Sequence, residues 1–150
     1  MTETEIKTLI EKQKNYFYTG ATLNVEFRLA ALQRLKMTIQ KYEKDIGAAL
    51  RADLGKSPFE GYMCETGLVL DEIHYMLKHA RFLSRERRVR TPLAQFAARS
   101  FQKPSPYGVV LVMSPWNYPF LLTIDPLVDA IAAGNTVVVK PSAYSPHTSE

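Results

Sequence analysis

Two continuous apolar runs flank a helix-like segment near the end of the sequence. The first is GVVLVM, residues 108–113, and the second is TVVVK, residues 136–140. Uninterrupted aliphatic runs of this length are typical of strands in a parallel sheet that is covered on both faces. Residues 119–133 carry apolar side chains at helical spacing, and Gly134-Asn135 ends that helix. The sequence therefore predicts a strand–helix–strand unit with a right-handed crossover, which begins a parallel α/β sheet.

Three helices are predicted before this unit. The first covers residues 3–18, the second runs from Asn24 as N-cap to Leu54-Gly55, and the third covers residues 59–85. Their apolar residues recur at steps of three and four, as in amphipathic helices. In residues 91–105, apolar and polar side chains alternate over short distances, and prolines interrupt the segment. This pattern predicts one or two strands outside the main core.

The end of the sequence predicts one more helix. Ser145 and Pro146 form an N-cap followed by proline at the first helical position. Two parallel strands with one crossover cannot cover both of their faces. We therefore expect this chain to be the first part of a larger protein.

Composition and charge indicate a soluble globular chain in a reducing compartment. The single cysteine, Cys64, excludes an internal disulfide, and the sequence has neither an apolar run long enough to span a membrane nor a signal-peptide pattern. We expect a cytoplasmic location and no membrane segment. Residues 78–103 hold eight Lys or Arg against one acid, Glu86, but no docking motif or stacking aromatics accompany them. We therefore expect a solvated helix end there and no nucleic-acid partner.

The loop SPWNYPF, residues 114–120, follows the first strand of the unit. Ligands of parallel α/β sheets bind at the carboxyl ends of strands, so this loop is a candidate site. It has no glycine and is therefore not the usual pyrophosphate cradle. Asn117 is either the N-cap of the following helix or an amide donor aimed into a site. Trp116 is either a packing residue or a flat surface for a ligand.

Lys140 stands at the end of the second strand, where a dinucleotide site commonly has an acid. A cation at that position would tolerate or attract a ribose 2′-phosphate. The alternative is an ordinary exposed lysine at a strand end.

These residues carry a resemblance to a known family. PYGVVLVMSPWNYPF followed by AIAAGNTVVVKPS resembles the aldehyde dehydrogenase superfamily, and the Trp-Asn-Tyr-Pro form with KPS is similar to its class 3, or fatty-aldehyde-type, branch. The resemblance implies an α/β fold in which N-terminal helices precede a Rossmann-like parallel sheet. By that resemblance, residues 1–90 are the helical part of the cofactor-binding domain, 91–105 an oligomerisation arm, and 106–150 the first βαβ unit.

The resemblance also implies an activity. Members oxidise an aldehyde to a carboxylic acid with NAD or NADP, through a thiohemiacetal on a cysteine whose position, like that of the general base, lies beyond residue 150. The arm strands imply a homodimer of the full enzyme. The alternative that stays open is a non-catalytic, stand-alone binding or interaction module built on the same partial fold.

Site residues follow from the matched motifs. Asn117 matches the asparagine whose amide helps to form the oxyanion hole. The other matched positions line the cofactor channel or contact the adenosine ribose: Ser114, Pro115, Trp116, Lys140, Pro141 and Ser142.

Ala143 departs from the family pattern. The family often has glutamate there, which helps to select NAD through the ribose hydroxyls. A missing carboxylate removes repulsion against a 2′-phosphate, so use of NADP becomes more plausible.

The remaining chemically active side chains are weaker candidates. Cys64 lacks the family's nucleophile motif, and we expect a buried structural thiol. His74 and His79 lie five apart on a helix and so face different ways, and no metal site is expected. Asp125 and Asp129 share a helix face, which we expect to be solvated.

Overall fold

Helices make up most of the structure. The computed structural model describes all residues, 1–150. The helices are α1 Glu3–Tyr18, α2 Val25–Lys41, α3 Glu43–Leu54, α4 Pro58–Gly61, α5 Gly67–Leu83, α6 Leu121–Ala133 and α7 Pro146–Ser149. The strands are β1 Arg87–Val89, β2 Ser100–Gln102, β3 Val109–Met113 and β4 Thr136–Lys140. None of the helices combines the length and the apolar character that crossing a bilayer requires.

The second predicted helix is two helices in the structure. Its start at the Asn24 cap and its end at Gly55 are confirmed, because the Asn24 side chain accepts from Glu26 N and Gly55 adopts φ 69°. The chain breaks at Tyr42, which leaves the helical region with φ −102° and ψ 16°. The apolar stripe continues across the break, so periodicity alone did not reveal it.

The third predicted helix is also interrupted. Helix α4 passes into a π-helical turn, Tyr62–Thr66, before α5 begins. At Gly67 an added Cβ would lie 2.8 Å from the Tyr62 carbonyl oxygen, so the turn requires glycine there. Such turns insert an extra residue and change which side chains point inward.

The predicted strand–helix–strand unit is confirmed. Strands β3 and β4 are parallel, and α6 connects them. Gly134 ends α6 with φ 93°, and its backbone approaches the Thr22 carbonyl oxygen, which a Cβ would meet at 3.1 Å. One face of β3 is open in this chain, where Leu111 is 58% and Met113 is 66% exposed, as expected for two strands with a single crossover.

The strands predicted for residues 91–105 begin earlier than expected. Strand β1, Arg87–Val89, precedes that segment, and β2, Ser100–Gln102, lies inside it. The two pair antiparallel, with Arg88 opposite Phe101, and they form a separate two-stranded sheet. Residues of this hairpin are mostly exposed.

The core lies between three helices. Its buried residues come from α2, α5 and α6, and they are Leu32, Ile39, Val69, Ile73, Val128 and Ala132. Burying such side chains contributes roughly 1.5–3 kcal/mol each. Helix α6 therefore sits on a helical layer on one side and contacts the β3–β4 sheet on another, which fixes the position of the loop before it.

Candidate active site

The loop 114–120 lies between the carboxyl end of β3 and the first turn of α6. Where β3 pairs with β4, Met113 lies opposite Lys140. Ser114 N donates to the Lys140 carbonyl oxygen at 3.3 Å. The ends of β3 and β4 are therefore adjacent, and the two groups of predicted site residues lie side by side. This is the edge at which parallel α/β sheets bind ligands.

Asn117 does not cap α6. Helix α6 begins after Phe120, with no side-chain cap from within the loop. The Asn117 side chain is exposed and makes no hydrogen bond, while its backbone carbonyl accepts from Lys56 Nζ at 3.3 Å. The capping interpretation of Asn117 is thus wrong, because another residue occupies the amides that a cap would serve.

That residue is Glu65, which is fully buried. Its Oε2 accepts from Phe120 N at 2.8 Å and from Leu121 N at 3.1 Å, and its Oε1 accepts from Lys56 Nζ at 2.5 Å. A carboxylate is well placed at a helix N-terminus, where unpaired N–H groups and the helix dipole favour negative charge. Glu65 thus replaces Asn117 as the cap, from a distance of 55 residues in sequence.

A second set of contacts holds the loop from the α6 side. The Thr123 hydroxyl lies 2.6 Å from Ser114 Oγ and 2.5 Å from the Pro119 carbonyl oxygen. Ser114 and Thr123 are both buried. The Ser114 side chain is therefore engaged within the chain, and the groups that Ser114 and Pro115 can offer to a ligand are backbone groups.

Trp116 is half exposed, at 54%, and no aromatic ring stacks on it. The packing interpretation of Trp116 therefore does not fit this chain, whose exposed indole can contact a ligand or a further part of the protein.

The residues at the end of β4 and after it divide into exposed and buried positions. Lys140 and Ala143 are exposed, and Lys140 forms no ion pair. Ser142 is buried, its hydroxyl accepts from Tyr144 N at 3.2 Å, and its carbonyl accepts from Ser149 Oγ at 2.7 Å. Ser142 therefore shapes the turn, while Lys140 presents its ammonium group at the ligand edge.

Cys64 is half buried rather than buried, and it is unpaired. It lies in the π-helical turn beside Glu65. His79 Nδ1 lies 2.8 Å from the Tyr75 carbonyl oxygen, and its ring stacks on Tyr75 at 4.1 Å. No group of three His, Cys, Asp or Glu side chains is placed to hold a metal ion.

Asp125 and Asp129 lie near Glu72, a carboxylate of α5. The sequence did not suggest this proximity. Burial raises the pKa of Glu72, and the negative charges of Asp129, Asp125 and Asp71 raise it further. Burial, followed by the charge of Asp129, also raises the pKa of Asp125. The expectation of a simple solvated face was incomplete, because the packing of α5 on α6 brings a third carboxylate close.

We expect Glu72→Gln to stabilise the full-length protein at pH 7. A carboxyl whose pKa is raised on folding opposes folding when ionised, and this cost disappears below its unfolded pKa, near 4.5. Because these groups are largely solvent-screened, the gain is about 0.5 kcal/mol. Urea unfolding at pH 7 and pH 4 measures it. A gain that persists unchanged at pH 4 would contradict the electrostatic origin.

Comparison with known proteins finds similarity along the whole chain. The profile of the aldehyde dehydrogenase family matches residues 1–150. This chain belongs to the aldehyde dehydrogenase family.

Relatives of this aldehyde dehydrogenase chain agree with the class 3 resemblance. It is 42% identical over 134 residues to the 4,4′-diaponeurosporen-aldehyde dehydrogenase of Staphylococcus aureus, covering 89% of this chain and 29% of the relative. It is 40% identical over 141 residues to aldehyde dehydrogenase family 3 member A2 of Rattus norvegicus, covering 94% and 29%. This chain therefore spans about three-tenths of the length of these curated relatives.

The fold agrees as well. A solved structure of Staphylococcus aureus AldH in a substrate-bound state superimposes with a TM-score of 0.91 at 40% identity, covering 99% of this chain and 32% of that one. The predicted aldehyde dehydrogenase fold is thereby confirmed for the part of that fold that this chain spans.

Proposed function

We propose that the protein carrying this chain oxidises an aldehyde to a carboxylic acid with NAD or NADP, and that Asn117 donates to the substrate oxygen. The observation that supports it is the Asn117 amide, which is exposed at the ligand edge and makes no hydrogen bond within the chain. In aldehyde oxidation, negative charge develops on the carbonyl oxygen. A preorganised amide donor stabilises that charge.

The residues at the ends of β3 and β4 fit a nicotinamide dinucleotide. The exposed Lys140 ammonium can donate to ribose hydroxyls or pair with phosphate, and the exposed Trp116 indole offers a flat apolar surface. The cofactor would supply the oxidising chemistry, while these residues bind and orient it. We propose that the nucleophilic cysteine and the general base come from positions after residue 150.

The direct experiment is turnover by the full-length protein. The protein is incubated with a series of aliphatic and aromatic aldehydes and with NAD or NADP, and the acid product is identified by mass spectrometry. We expect acid formation that depends on the cofactor. Cofactor binding without any acid product would instead favour the alternative of a non-catalytic binding module.

We predict that Ala143→Glu shifts cofactor preference towards NAD. Ala143 is exposed beside Lys140, so a new carboxylate would repel a 2′-phosphate there. We expect the affinity for NADP to fall about tenfold relative to NAD, the equivalent of about 1.4 kcal/mol. Quenching of tryptophan fluorescence measures both dissociation constants, and Trp116 is a reporter within the site. A strong preference of the unaltered protein for NAD would contradict the hypothesis that Ala143 permits NADP.

The hairpin of β1 and β2 supports a further proposal, that the full enzyme is a homodimer. Phe96 and Phe101 are 90% and 55% exposed in this hairpin, as expected for a surface that another subunit covers. A cytoplasmic location stays a prediction from the single unpaired cysteine.

A further inference from the structure

A buried ion pair lies directly behind the loop 114–120. Glu65 is 0% and Lys56 8% exposed, and Lys56 Nζ lies 2.5 Å from Glu65 Oε1. Removing two charges from water is costly, and their mutual attraction only offsets that cost. Apolar residues of similar volume would often stabilise a fold equally well. The location of this pair therefore calls for an explanation beyond stability.

Each end of the pair contacts the loop. Glu65 Oε2 accepts from the amides of Phe120 and Leu121, which fixes where the loop ends and α6 begins. Lys56 Nζ donates to the Asn117 carbonyl oxygen at 3.3 Å and lies 4.1 Å from the centre of the Tyr118 ring. The pair thus holds the backbone of Asn117 itself and the backbone that follows it.

The Asn117 side chain has no hydrogen-bonding partner of its own, so the fold holds this residue through its backbone, which fixes the position of its Cβ. A donor to a developing oxyanion must lie within a few tenths of an ångström of its position, and a misplacement of 1 Å can cost about 100-fold in rate. A rigid support behind Asn117 is therefore needed, and the Lys56–Glu65 pair is the support that contacts the Asn117 backbone directly.

We propose that Lys56 and Glu65 are positioning residues, which fix the Asn117 amide for catalysis without touching the substrate. This inference rests on the proposed function of Asn117. Two features of the fold make it possible. Gly55 ends α3 immediately before Lys56, and the π-helical turn places Glu65 towards α6.

Glu65→Gln tests the proposal in the full-length protein. A glutamine has one acceptor and one donor end, so it cannot accept from both the Lys56 ammonium and the α6 amides. We expect kcat to fall about tenfold or more, with KM changed less than about threefold, because a misplaced oxyanion donor affects the transition state more than substrate binding. Glu26→Gln is the matched control. It breaks an exposed pair with Arg81, and we expect it to leave kcat unchanged.

The decisive readout is coupling to Asn117. If Glu65 acts through the Asn117 amide, Glu65→Gln should lower kcat less than about twofold in an Asn117→Ala background. A purely structural role predicts the same fractional loss in both backgrounds, and that result would overturn the proposal. An unchanged kcat for Glu65→Gln alone would also overturn it.

Lys56→Arg provides a second variant in case Glu65→Gln does not fold. Arginine keeps the charge for Glu65 but differs in shape at Asn117 and Tyr118. We expect a folded protein with a kcat about threefold to tenfold lower, and this loss should again disappear in the Asn117→Ala background. A loss of the same size in both backgrounds, or no loss, would overturn the positioning role.

The two proposals fail in distinguishable ways. If Asn117→Ala keeps the kcat of the unaltered protein, the proposed function of Asn117 fails, and the positioning role fails with it. If Asn117→Ala is impaired while Glu65→Gln and Lys56→Arg both keep full kcat, only the positioning role fails.

Discussion

Replacing Asn117 by alanine in the full-length protein is expected to lower kcat for aldehyde oxidation by about 10²–10³-fold, the typical cost of losing one oxyanion donor. The free energy of unfolding should change by less than about 0.5 kcal/mol, because the side chain is exposed and has no partner within the chain. Steady-state kinetics at saturating cofactor and urea unfolding measure the two effects.

Asn135→Ala is the matched control and should show the opposite behaviour. The Asn135 side chain accepts from Gly108 N at 3.0 Å and donates to the Ala130 carbonyl oxygen at 3.2 Å. Its loss leaves the buried Gly108 N without its partner, which costs about 1–3 kcal/mol of stability. We expect its kcat to stay near that of the unaltered protein. Equal kcat values for the two alanine variants would contradict the assignment of Asn117.

Lys56→Met is expected to destabilise the full-length protein by about 3–5 kcal/mol, because it leaves the Glu65 carboxylate buried without its counter-ion. Denaturant unfolding at pH 7 measures this loss. Glu65 still accepts from the α6 amides in this variant, but hydrogen bonds to neutral donors do not replace a full positive charge.

The double variant Lys56→Met/Glu65→Gln is the internal control. It removes both charges, and the glutamine oxygen can still accept from Phe120 N and Leu121 N. We expect it to recover more than half of the stability lost in Lys56→Met. If Lys56→Met is as stable as the unaltered protein, the pair is not energetically coupled, and the account of the buried charge is wrong.

Elements built from local patterns were predictable. The apolar runs at 109–113 and 136–140 are the two parallel strands. Gly55 ends α3 and Gly134 ends α6, as predicted. Val69, Ile73 and Ala80 lie buried along α5, in agreement with the amphipathic pattern predicted for that helix. These predictions depend only on residues near each other in sequence, which is why they were confirmed.

The support of the candidate site was not predicted, although a signal was present. Glu65 lies four residues before Val69 and eight before Ile73, in the same apolar stripe. An acid at a core position requires a buried partner. The sequence could not say which partner, because Lys56 and the α6 amides are brought to Glu65 by the packing of separate helices.

The error at Asn117 has the same origin. Asparagine before a helix is usually a cap, and local preference favoured that role. A distant carboxylate occupies the α6 amides instead, so tertiary structure overrode the local preference. The position of the loop was predictable, whereas the direction of its amide was not.

The most direct test of the central claim is a crystal structure of the full-length protein with an aldehyde-derived adduct and cofactor bound. The account predicts that Asn117 Nδ2 lies about 2.7–3.1 Å from the oxygen that was the aldehyde carbonyl. It also predicts that Lys56 remains in contact with Glu65 and with the Asn117 carbonyl oxygen. An adduct oxygen held by other donors, with the Asn117 amide turned away from it, would contradict the account.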